Sequence, residues 1–131
     1  MPGENEPFAF WRVRVAKVAE DDLDEIIDYF IQIDELDVAA EIMDDFTLAR
    51  KSLETLPLRA HYTNELKELV IYSHREIHFR VYRIIFRVHE ELREVHVDAI
   101  LDGRRNILQI LANRLLRSPG EDEVPDQYKG I

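Results

Sequence analysis

The residues with the clearest chemical potential in this 131-residue chain are arginines. Arg104 and Arg105 stand in the segment Asp102-Gly103-Arg104-Arg105-Asn106, immediately ahead of an apolar run with helical spacing. The amino end of a helix carries partial positive charge, so cations placed there cost on the order of a few tenths of a kcal/mol. Guanidiniums kept at such a position suit a phosphate, a carboxylate or a partner protein. Arg83 and Arg80, in a neighbouring strand pattern, extend the same set. The competing account is a surface network in which Arg83, Arg87 and Arg104 pair with Asp98 and Asp102, an arrangement worth little energetically.

Other chemistries find less support. His74 and His78 in His-Arg-Glu-Ile-His have the two end residues of a zinc-binding helix motif, but the glutamate is misplaced and the segment lies between two strand patterns. On an extended chain the two imidazoles are roughly 13 Å apart, too far to share one ion. His61, His89 and His96 are scattered and read as surface or turn residues, so no metal ligand set and no cofactor is expected. There is no cysteine, hence no disulfide, thiolate ligand or thiol nucleophile, and the four glycines form no phosphate loop. Asp22, Glu25 and Asp28 fall on the polar side of a helical pattern and read as an ordinary solvated face.

Net charge narrows the choice of partners. The chain carries 27 acidic and 17 basic residues, a formal charge of -10, which disfavours non-specific phosphate binding by the whole molecule. The charge is uneven: residues 1–57 sum to -10, residues 58–117 to +3 and residues 118–131 to -3. An anionic partner would therefore meet the second half. No apolar run approaches the ~20 residues of a membrane helix, and Met1 to Phe8 lacks the basic and apolar blocks of a signal peptide, so a cytoplasmic protein with no membrane partner is expected.

The elements that must position these arginines follow from periodicity. Residues 1–9 read as a flexible start, residues 10–117 as one domain and residues 118–131 as a flexible acidic tail. Phe10 to Lys17 alternates like a half-buried strand. Leu23, Ile26, Ile27, Phe30 and Ile33 predict a helix over about 20–33, with Asp21, Asp22 and Asp24 at its favourable end. Val38, Ile42, Phe46, Ala49, Leu53 and Leu56 predict a second, ended by Pro57 and antiparallel to the first. The period then changes to two, predicting strands over residues 66–73, 79–88 and 93–102 joined as a meander. Ile107, Leu108, Ile110, Leu111, Leu115 and Leu116 predict a closing helix.

The fold class is thus α+β, in the order β-α-α-β-β-β-α, with one sheet face on the helical hairpin. Tyr82, Ile84, Phe86 and Val88, with Val95, Val97, Ala99 and Leu101, are expected on the core face. Val81, Arg83, Ile85, Arg87, His96, Asp98, Ile100 and Asp102 are expected on the opposite, charged face, where function is sought.

Four segments in this order resemble the ParE/RelE toxin superfamily, also called plasmid stabilization system proteins. Ala19 to Phe30 (AEDDLDEIIDYF) is similar to its A-x-x-D-L-x-x-I-x-x-Y segment, and Leu53 to Pro57 (LETLP) to the end of its second helix. Residues 66–73 (LKELVIYS) with Tyr82 to Val88 (YRIIFRV), and then Val97 to Asn106 (VDAILDGRRN), resemble its strands and closing signature, with Asp102 where a histidine is usual.

The resemblance implies the toxin of a bacterial toxin-antitoxin pair, neutralised by a cognate antitoxin, with a homodimer or a toxin-antitoxin hetero-oligomer as the alternative assemblies. ParE-like members inhibit DNA gyrase, whereas RelE-like members cleave messenger RNA on the ribosome. Carried over by position, Arg83 and Arg104 match RelE arginines, but the two upstream lysine positions fall on His74 and Glu76 and the tyrosine position on Ile110. A carboxylate in place of a phosphate-binding cation and an alkyl group in place of a phenol both disfavour RNA cleavage. The expectation is a growth-inhibiting ParE-like toxin that acts by protein contact through Arg83, Arg104, Arg105, Ile107, Ile110 and Leu111. The alternatives are an mRNA endoribonuclease using Arg83, Arg104, Arg80 and His78, and a non-toxic remnant that keeps antitoxin binding.

Overall fold

A computed structural model describes residues 10–115. The expected flexible ends, 1–9 and 118–131, lie outside the described residues, as does Leu116. The elements are β1 (Arg12–Val15), α1 (Lys17–Gln32), α2 (Leu36–Ser52), a 3-10 turn (Pro57–Arg59), β2 (His61–Tyr62), α3 (Asn64–Glu68), β3 (Arg75–Phe79), β4 (Tyr82–His89), β5 (Glu94–Asp102) and α4 (Ile107–Leu115). The five strands form one sheet in the order β1-β5-β4-β3-β2, with β1 parallel to β5 and the other pairs antiparallel. The α+β class and the order of the main elements follow the expectation, with the short strand β2 and the short helix α3 added between the hairpin and β3. Among the described residues no helix is long and apolar enough to cross a membrane.

The main core lies between the sheet and the α1–α2 hairpin. Leu23 of α1 and Ile42 and Phe46 of α2 meet Ile84 and Phe86 of β4 and Val95, Val97 and Ile100 of β5. Ala19 is fully buried, its methyl letting α1 approach β5 closely. Phe86 is also fully buried, and truncation there would cost about 3–5 kcal/mol. Asp34, at φ 60°, turns the chain between the helices in a conformation aspartate tolerates. Ile33 and Leu56, assigned to the apolar faces by spacing, are exposed because the helices end at Gln32 and Ser52.

Three expectations are corrected. Residues 66–73 are not a strand: Asn64–Glu68 is a short helix that buries Leu66, and Leu69, Val70, Ile71 and Tyr72 are exposed in the connection that follows. The strand starts instead at Arg75, so His-Arg-Glu-Ile-His runs onto β3 rather than between strands. The expected third strand over 79–88 is likewise split, with Arg80 and Val81 forming the tight turn from β3 to β4 and Phe79 pairing with Tyr82.

The faces of β5 are the third correction. Ile85 is opposite Ala99 while Phe86 is opposite Val97, so Asp98 is an extra residue, a β-bulge. Beyond it the alternation inverts. Ile100 turns toward the helical hairpin, whereas Ala99 and Leu101 join Ile85 on the other face. There they meet the fully buried Ile107 and the half-buried Ile110 and Leu111 of α4, a second small core on the face expected to be an unusually charged surface.

Strand β1 accompanies only Glu94–Val97 of β5. Past its end, Ile100 N–H donates to the Asp22 carboxylate of α1 at 3.0 Å, and Arg114 of α4 donates to the Asp98 carbonyl at 2.7 Å. Arg114 also reaches Asp22 at 2.7 Å, tying the closing helix to the first. Burial pushes the Asp22 carboxyl up, against the pull of these donors.

Candidate functional site

The site is built where β4, β5 and the loop into α4 converge. Asp102 ends β5, Gly103 follows beside the β3–β4 turn, and Arg104 and Arg105 come before α4 begins at Ile107. Asn106 caps that helix, its side-chain oxygen accepting from Leu108 N–H at 2.8 Å. The two cations therefore precede the helix instead of occupying its first turn, which removes most of the dipole penalty.

Arg83 lies beneath this loop. It is buried, and its guanidinium is held by both Glu65 oxygens at 2.7 and 2.8 Å and by Glu76 Oε1 at 2.6 Å. It also donates to the Arg105 carbonyl at 3.4 Å. The hydrogen bonds from Arg83 hold the Glu65 carboxyl below its usual range. For Glu76 burial opposes the charge, yet Arg83 and His78 prevail and its carboxyl is also lowered. Arg83 is thus a neutralised strut that fixes the loop from inside. Its partners are not Asp98 and Asp102, as the surface-network account had it.

Arg104 is the opposite case. Its side chain is 91% exposed and forked on Asp102, with Nε and Nη2 each 3.1 Å from a carboxylate oxygen. Asp102 also accepts from Arg104 N–H at 2.9 Å, and these bonds from Arg104 lower its carboxyl. The aspartate at the usual histidine position therefore orients Arg104. Arg105 is exposed beside it. Both border a groove of about 430 Å³ whose far wall is Glu25, Ile26 and Tyr29 of α1 and whose floor is Ile100 of β5.

The remaining candidates separate. Arg80 lies at the β3–β4 turn and points to the helical hairpin, pairing with Asp45 at 2.6 Å and Glu41 at 2.8 Å of α2. His78, on β3, is bonded to Glu76. The structure therefore brings Arg83, Arg104, Arg105 and Ile107 to one loop, while Ile110 and Leu111 anchor α4 on the sheet. Arg80 is turned away toward α2. Arg87 does pair with Asp98, at 2.7 Å, as the surface-network account expected.

Sequence reasoning misses Glu65 and Glu76 as the partners of Arg83, because they reach it from two separate elements, α3 and β3, that spacing along the chain does not bring together. It also misplaced His96, which is fully buried and bonded to Glu94 at 2.8 Å.

The profile of the ParE toxin of the type II toxin-antitoxin system parDE matches residues 13–107. The chain belongs to the ParE toxin family. That span runs from β1 to the first residue of α4 and so contains the Arg83 strut and the Arg104–Arg105 loop. As a ParE-family toxin the chain is the toxin half of a type II pair, and its family implies an antitoxin protein as partner. No curated protein matches this ParE-family sequence.

Proposed function

We propose that this ParE-family toxin, acting as a single domain over residues 10–117 in the cytoplasm, arrests growth by binding a protein target, with DNA gyrase the target that family resemblance suggests. Arg104, Arg105 and the exposed side of α4 make the contact, and Arg83 with Ile107 hold that surface in shape.

The observation that carries this reading is the state of Arg83. A guanidinium that must stabilise a phosphorane needs open valences toward the substrate. Here Glu65, Glu76 and the Arg105 carbonyl take the Nη donors, and Nε is buried without a partner among the described residues, away from any substrate. The exposed arginines beside an acidic and aromatic groove wall suit a protein surface better than a nucleotide backbone.

The test is induction of the toxin alone in bacteria, with growth, transcript 5' ends and gyrase supercoiling followed together. Arrest with lost supercoiling and unchanged transcript ends is expected. New ends phased to codons would replace this reading with ribosome-linked RNA cleavage. Harmless expression with retained antitoxin binding would replace it with a non-toxic remnant.

A further inference from the structure

Outside the Arg104–Arg105 loop, the face of the sheet formed by β2 and β3 gathers a second set of chemical groups. Glu76 and His78 are two residues apart on β3 and share a face, and His61 of β2 is the cross-strand neighbour of Glu76. One ligand atom from each of His61, Glu76 and His78 lies within 4.8 Å of the others. We propose that these three side chains form a binding site for a borderline first-row divalent cation of the zinc type.

The orientation of each donor supports this. His61 Nδ1 is 2.9 Å from the Tyr62 carbonyl, which can only accept, so Nδ1 is the donor nitrogen and Nε2, the ligand atom of the neutral imidazole, faces Glu76. That Nε2 is 3.9 Å from Glu76 Oε2. His78 Nε2 is 2.5 Å from the same oxygen, in a contact that an ion would open by taking the place of the shared proton, which leaves to solvent. Glu76 Oε1 is already committed to Arg83 at 2.6 Å, so the second oxygen is aimed outward at both imidazoles. Ligands oriented through their other atom in this way are characteristic of functional metal sites.

Charge and access agree. Arg83 with Glu65 and Glu76 leaves one negative charge uncompensated behind the two imidazoles. The Glu76 side chain is 4% exposed and both imidazoles 58%, so the carboxylate forms a buried floor and the open side admits an ion with water in its remaining positions. Two nitrogens and one oxygen select zinc, cobalt or nickel over magnesium or calcium, which prefer oxygen throughout.

The experiment uses the untagged full chain. Zinc is titrated by calorimetry and cobalt by its visible absorption, on the unmodified protein and on His61→Asn, His78→Asn and His89→Asn. One ion per chain is expected, with affinity reduced about tenfold or more in the first two variants and unchanged in the third. No binding of either ion tighter than about 1 mM by the unmodified chain overturns the site, as does equal affinity in His61→Asn. If His78→Asn fails to fold, the exposed His61→Asn decides alone. Growth inhibition is not a readout, so failure here leaves the toxin reading intact.

Discussion

Gly103 donates its N–H to the carbonyl of Val81 at 2.7 Å, and a Cβ built on Gly103 would stand 3.0 Å from that same oxygen. A side chain in place of the glycine of the Gly-Arg-Arg segment would press on the β3–β4 turn, whose backbone would have to give by a few tenths of an ångström. This contact ties the turn at Arg80-Val81 to the loop carrying Arg104 and Arg105.

Gly103→Ala is expected to lower stability by about 1–3 kcal/mol, because the obstructing atom is backbone and moves only with its hairpin. Urea denaturation of the two proteins measures it. An unchanged midpoint would mean that the turn shifts without cost.

Arg83→Met removes the cation shared by Glu65 and Glu76, leaving the Glu76 carboxylate buried without its main counter-charge. Breaking such a buried arrangement from one side costs about 3–5 kcal/mol. Equilibrium unfolding is the check, and a loss under about 1 kcal/mol would show that water reaches the cluster and screens it.

Asp98 sets an acid limit on stability. Burial works against its charge, but hydrogen bonds from His74 and Arg87 prevail and hold its carboxyl below the ordinary value of 3.8. The unfolded chain therefore takes up the proton first, so the Asp98 contribution is full above about pH 3.8 and disappears as pH falls through the lower folded value. The stability difference between the unmodified chain and Asp98→Asn should be largest near neutrality and shrink in acid below that point. Thermal melts across this range would reveal it, and a constant difference would contradict it.

Arg114→Ala cuts the ties from α4 to the Asp98 carbonyl and to Asp22. Hydrogen exchange in α4 should accelerate while the amides of β4 keep their protection, since the latter belong to the main core. Equal acceleration in both would show that α4 and the sheet open together.

A charge-reversed Arg104→Glu, Arg105→Glu toxin should fold normally and lose growth inhibition. Both side chains are exposed, so the circular dichroism spectrum and melting temperature should be unchanged. Full toxicity in the folded double variant would remove these arginines from the contact.

Much of this architecture is legible in the sequence, and where it is not, the reason is physical. The helical hairpin is readable because Leu23, Ile42 and Phe46 repeat at helical spacing and are all buried. Strands β4 and β5 are readable from their β-branched alternation. The bulge is not, since Val95, Val97, Ala99 and Leu101 keep a perfect period of two across it, and only the apolar Ile85 and Ile100 on the supposedly charged face betray the inversion. Residues 66–73 mislead because Leu69, Val70 and Ile71 have strand propensity while Leu66 anchors a short helix by tertiary burial. At the site, Arg104 and Arg105 stand out by their position before α4, whereas Glu65 and Glu76 reach Arg83 across separate elements that spacing along the chain cannot join. The grouping of His61 with Glu76 and His78 likewise depends on β2–β3 pairing.

The stretch of β5 that outruns β1 has a consequence for life among other proteins. An unaccompanied strand margin is a template on which foreign chains can pair and aggregate. Here the Ile100 amide and the Asp98 carbonyl are occupied by Asp22 and Arg114, side chains far apart along the chain that meet in the fold. Asp22 covers the amide side from the first helix, but the Asp98 carbonyl is covered only once the last helix has docked, so a chain truncated before Arg114 should be more prone to self-association than the intact toxin.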